Sequence, residues 1–112
     1  MDRVTEYKEI VRRAMDEYAD YMPEQEGFEL ERIYDDIKGH YELLYFGWRG
    51  YERTHGIILH VDVRGEKVWI WQDGTEDGIA NDFLDAGIPK EHIVLAFHAP
   101  YKRPYTGGFA VA

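Results

Sequence analysis

At 112 residues the chain is long enough for one domain with one hydrophobic core and too short for two. Hydrophobic residues at 45% beside charged residues at 31% suit a soluble globule, and no apolar run nears the ~20 residues of a membrane helix. Twenty-two Asp and Glu against thirteen Lys and Arg give a net charge of −9, which works against autonomous DNA binding, and the lack of cysteine excludes disulfides and thiolate metal sites.

The first predicted element is an amphipathic helix over residues 5–22. Val4, Tyr7, Val11, Ala14, Met15, Tyr18 and Met22 recur at three- and four-residue steps and form its apolar stripe. Asp2 or Thr5 is placed to cap the start, and Pro23 marks the end. Glu6, Glu9, Arg12, Arg13, Asp16 and Asp20 occupy the polar face, with Glu9 spaced to pair weakly with Arg12 or Arg13. The stretch lacks the basic-then-apolar layout of a secretion signal, so a cytoplasmic location is expected.

Four runs of strand character follow, over residues 28–37, 41–49, 54–64 and 67–72. Lys38-Gly39, the segment 50–53 and Gly65-Glu66 connect them, and links this short join antiparallel neighbours. A four-stranded meander is predicted. In the third run Ile57, Leu59, Val61 and Val63 alternate with Ile58, His60, Asp62 and Arg64, and the first set is expected to meet the N-terminal helix. In the fourth, Trp69 and Trp71 share one face and Val68 and Ile70 the other. Apolar bulk on both faces implies that a second helix or another subunit covers the far side.

Asp73-Gly74-Thr75-Glu76 has the form of a capping box, with Asp73 accepting from the Glu76 backbone N–H and Thr75 as the alternative cap. Ile79, Ala80, Phe83 and Leu84 form the buried stripe of a helix of about three turns. Gly87 is placed to close it in a left-handed conformation, with Ile88 folding back on Phe83 and Pro89 preventing continuation. A last strand is expected over residues 93–99, after which Pro100 and Pro104 keep the chain extended or turned toward an ordered apolar tail.

Candidate chemistry is sparse. His60 and Asp62, two apart on one strand face, could supply two ligands to zinc or iron, with His55 or His98 as a third. Strand histidines more often pack or hydrogen-bond, so no metal or other cofactor is expected. The acids Asp73, Glu76 and Asp77 are explained by helix capping. No phosphate loop or GxSxG motif is present. Arg12-Arg13 and Lys102-Arg103 are the adjacent cationic pairs of the sequence, and both read as solvated surface charge. Aromatic residues reach 15%, much for a small core to hide with every polar tip satisfied. Trp48, Trp69, Trp71, Tyr101, Arg103, Tyr105 and Phe109 are therefore the candidate partner-interface residues.

Three stretches carry a family resemblance: FGWRGYERTHGIILHVDV, KVWIWQDGTEDGIANDFLDAGIPKEHIVLAF and the terminal TGGFAVA. Together they resemble the XisI family of fdxN-element excision controlling factors, along nearly the whole chain. The resemblance implies a small accessory factor linked to site-specific excision of a DNA element, with the recombinase a separate protein and a nuclease-like companion, XisH. It supplies no catalytic residues.

The expected fold is a single α+β domain over residues 1–112, an N-terminal helix on an antiparallel four- to five-stranded sheet with a second short helix before the last strand. The expected function is non-enzymatic and regulatory, exercised through protein–protein association, as a homo-oligomer or with an XisH-like partner and with DNA met only indirectly. The competing readings are a small-ligand or metal-binding domain on the His60/Asp62 face and a direct nucleic-acid binder.

Overall fold

The computed structural model describes residues 2–112. Helix α1 (Arg3–Tyr21) begins at Asp2, whose carboxylate accepts from the Thr5 backbone N–H at 2.8 Å. Asp2, not Thr5, is the cap, and that hydrogen bond holds its carboxyl below the usual range. Tyr7, Ile10, Val11, Ala14, Met15 and Ala19 are the buried stripe, so Ile10 and Ala19 add a row to the one predicted. Met22 leaves the helical conformation ahead of Pro23. Arg12 pairs with Asp36 across the fold rather than with Glu9 along the helix, and so is not a free surface cation.

Strands β1 (Phe28–Asp35), β2 (His40–Arg49), β3 (Glu52–Arg64) and β4 (Lys67–Asp73) form the expected antiparallel meander. A fifth strand, β5 (Ile93–Leu95), adds parallel to β4, giving the sheet order β1-β2-β3-β4-β5. A parallel neighbour requires a crossover, and the segment containing α2 (Ile79–Asp85) supplies it. Tyr41, Leu43, Leu59, Val61, Val63, Val68 and Ile70 turn one sheet face toward α1, and Ile79, Phe83, Ile88 and Ile93 complete the same core. At the β1 edge this face becomes polar. Arg32 bridges Asp16 and Asp20 of α1, and the Tyr34 hydroxyl donates to Asp16 at 2.9 Å.

Two β-bulges break the ideal alternation. Leu43 pairs with Leu59 but Leu44 with Ile57, leaving Ile58 as the extra residue of β3. His60 pairs with Gln72 but Val61 with Ile70, which makes Trp71 the extra residue of β4. The first bulge overturns one expectation: Ile58 packs against the core, while Ile57 turns away from α1 and is 40% exposed. The inward set is Ile58, Leu59, Val61 and Val63, without Ile57.

Helix α2 starts later than the capping-box pattern suggests and is seven residues long, about two turns instead of three. Gly78 has φ 84°, which no helix can pass through, so the first helical residue is Ile79. Asp73 still serves the helix, but from six residues away: its Oδ2 accepts from the Ile79 N–H at 2.9 Å and its Oδ1 from the Thr75 N–H at 3.0 Å. Thr75 Oγ1 in turn accepts from the Gly78 N–H at 3.1 Å. The helix end is as expected, with Gly87 at φ 101° and paired bonds Ile88 N–H to Phe83 O and Gly87 N–H to Leu84 O, both 3.0 Å.

The last strand is shorter than expected. After Leu95 the chain turns, with the Phe97 N–H reaching Ile70 O at 3.1 Å, and then forms a 3-10 helix over Pro100–Tyr105. The tail is ordered. Ala110 bridges Val94 in parallel and donates to Ile93 O at 2.8 Å, and Phe109 packs on the core. Among the described residues no helix is long and apolar enough to cross a membrane.

Candidate functional site

Helix α2 packs beside α1, not on the opposite face of the sheet, so neither helix covers that face. The C-terminal segment covers part of it at the β4–β5 edge. Period-two alternation and the two bulges place the rest: Ile33 from β1, His40, Glu42, Leu44, Phe46 and Trp48 from β2, Ile57, His60, Asp62 and Arg64 from β3, and Trp69 and Trp71 from β4. This open face divides into a polar cluster and an apolar field.

The polar cluster centres on Asp62, a carboxylate only 7% exposed. Register places His40 directly opposite Asp62 and Glu42 opposite His60. His40 Nδ1 lies 2.8 Å and His60 Nε2 3.2 Å from the same oxygen, Asp62 Oδ1. The other oxygen, Oδ2, accepts from Arg64 Nη2 at 3.0 Å. Arg64 lies over the Trp69 and Trp71 rings, 5.4 and 5.2 Å from their centroids, and those two indoles stack at 5.6 Å. Behind His40, Glu42 Oε2 sits 3.3 Å from Nε2. Burial pulls the His40 pKa down, but the hydrogen bonds to Glu42 and Asp62 and their charges outweigh it, and the net shift is upward.

The third group beside His60 and Asp62 is thus His40, not His55 or His98. His55 lies against Phe46 further down the hairpin, and His98 belongs to the C-terminal segment. The apolar field begins where the polar cluster stops. Leu44, Ile57, His55, His60 and Gln72 line a shallow depression of about 480 Å3, and the same sheet face carries Ile33 and the 57%-exposed Trp48. A larger cleft of about 750 Å3 between the end of α1 and β1 is lined by Asp20, Glu24, Glu26 and Glu29. Its one cation, Arg32, is already paired.

The expected interface residues do not form one surface. Trp48 stands at the far end of the β2–β3 hairpin, and Tyr101 and Tyr105 project from the C-terminal segment at 74% and 86% exposure. Trp69 and Trp71 are half-buried, and the Trp71 indole N–H is buried with no acceptor among the described residues. Phe109 is half-buried against the core. Arg103 is a correction. It is buried, donates to the carbonyls of His98 and Ala96 at 3.1 and 3.2 Å, and lies over Trp69, so it ties down the C-terminal segment and is not the solvated surface charge expected of it. Five members of the open face escaped sequence reading. Ile33, Glu42, Leu44 and Phe46 lacked a distinguishing pattern, and His40 becomes visible only once the hairpin register is known.

Compared with known proteins, residues 1–111 match the family described as XisI protein. The chain belongs to the XisI family. Its fold is shared with a XisI-like protein from Anabaena variabilis ATCC 29413, with 33% identity, a TM-score of 0.91 and coverage of 97% of this chain and 99% of that one. A second structure, the fdxN element excision controlling factor XisI from the same organism, shows 36% identity and a TM-score of 0.84 over 99% of this chain and 100% of its own. No curated protein matches. In this XisI-family chain the DGTE segment forms the connection from β4 to α2, the AGIPK segment closes α2, and the terminal FAVA segment contains the bridge to β5. These three segments hold the crossover and its end together, while the stretch from Phe46 to Val63 forms much of the β2–β3 hairpin that carries the open face.

Proposed function

We propose that this chain is a non-enzymatic accessory factor of the excision-controlling type, acting by association of its open sheet face with a protein partner. The observation that carries the reading is the apolar field on that face: Ile57 lines the depression at Leu44, and Ile33 and Trp48 are substantially exposed on the same face. A sheet face of this composition, left to water by both helices, fits burial against another protein surface. The relative bearing the name fdxN element excision controlling factor XisI supplies the setting. The net charge of −9 favours a partner with basic character and argues for DNA being met through it.

The partner favoured by the family resemblance is an XisH-like nuclease-fold protein; self-association through the same face is the other form. The test is co-purification with an XisH-like protein, with mass measured by light scattering for the chain alone and in the mixture. Ile57→Lys, which puts a charge in the apolar field without touching the core, is expected to abolish the higher-mass species while leaving the unfolding midpoint nearly unchanged. An assembly that survives Ile57→Lys and Trp48→Ala contradicts the proposed face.

A further inference from the structure

We propose that His40, His60 and Asp62 bind one divalent transition-metal ion of the zinc class on the open sheet face. One ligand atom from each lies within 4.8 Å of the other two. His40 Nδ1 and His60 Nε2 already converge on Asp62 Oδ1, at 2.8 and 3.2 Å. Tetrahedral coordination at about 2.1 Å places ligand atoms about 3.4 Å apart, so receiving an ion needs these contacts to open by roughly half an ångström. Two imidazoles and one carboxylate suit zinc and its neighbours, whereas calcium and magnesium favour oxygen ligands throughout. Three protein ligands leave a coordination position toward the open face.

The surroundings are those of a supported site rather than a chance meeting of side chains. A metal-bound imidazole characteristically gives its other ring N–H to a carboxylate, and Glu42 stands 3.3 Å from Nε2, the nitrogen of His40 that faces away from Asp62. Arg64 occupies only Oδ2 of Asp62, fixing the carboxylate's orientation and leaving Oδ1 to the histidines. Arg64 is itself held over the Trp69 and Trp71 rings. All three ligands sit on paired positions of β2 and β3, where the ladder fixes their Cα spacing. The Arg64 charge opposes a cation, but Glu42 offsets it locally, and the chain as a whole is acidic.

The test titrates the chelator-treated full chain with zinc by calorimetry and with cobalt by visible absorption. Saturation at one ion per chain is expected, with loss of binding in His40→Ala and in His60→Ala. Glu42→Gln, which leaves every ligand in place, should weaken binding about 10-fold. His55→Ala and His98→Ala should bind as the unaltered chain does. His40 and His60 are only partly buried, and circular dichroism of each variant confirms that the sheet is intact. No saturable binding by the unaltered chain, or unchanged binding in both His40→Ala and His60→Ala, overturns the site.

Discussion

Asp73 shows how much one side chain can organise. It ends β4, and its two oxygens hold the Thr75 and Ile79 N–H groups, so the loop and the start of α2 share one acceptor. Asp73→Ala should lower stability by about 1 kcal/mol, read as a drop in the urea midpoint. Glu76→Ala should change little, because Glu76 does not reach back to a cap. Equal losses in the two variants would mean that the reciprocal capping box forms after all. Tyr34 belongs to the same scale. Burial, together with the Asp16 carboxylate it donates to, raises its phenol above the ordinary value of 10.0. The folded chain then holds this proton more tightly than the unfolded chain does. The stability linked to it is complete below the unfolded value and is lost as pH rises through the folded one. Above pH of about 10 the unaltered chain should therefore lose stability more steeply than Tyr34→Phe. Parallel pH curves for the two would contradict that coupling.

At the scale of elements, the C-terminal segment does more than end the chain. Ala110 bonds to Ile93, Phe109 packs on the core, and Arg103 lies over Trp69, so the tail covers the β5 side of the sheet. Removing residues 109–112 should cost about 2 kcal/mol from the lost burial and hydrogen bond, measured by chemical denaturation. An unchanged midpoint would mean that the tail contributes nothing to the fold. The order of elements was legible in the sequence because glycine turns are short and α1 keeps a helical period. The bulges were not legible, since they arise from packing between strands. The β2–β3 hairpin pairs Arg49 with Glu52, and counting back without an extra residue sets His40 opposite Val61. The extra residue at Ile58 sets His40 opposite Asp62 instead. One inserted position therefore assembles the polar cluster and also turns Ile57 outward. The start of α2 departs from the capping-box pattern for a comparable local reason, the positive φ of Gly78.

For the whole molecule, both helices lie on one side of a five-stranded sheet, and the other side is closed only at the β4–β5 edge. The sequence signalled an apolar second face through Trp69 and Trp71, but those two are largely accounted for by stacking on each other and under Arg64 and Arg103. The surface left for a partner is centred instead on Leu44 and Ile57, beside the His40–His60–Asp62 cluster. The most direct measurement of its role is the light-scattering mass of the chain, alone and mixed with an XisH-like protein, for the unaltered protein and for Ile57→Lys. Association should raise the mass of the unaltered protein above that of one 112-residue chain, and Ile57→Lys should return it to a single chain of unchanged stability. A single-chain mass for the unaltered protein under both conditions, or equal assembly by the variant, would contradict association through the open face.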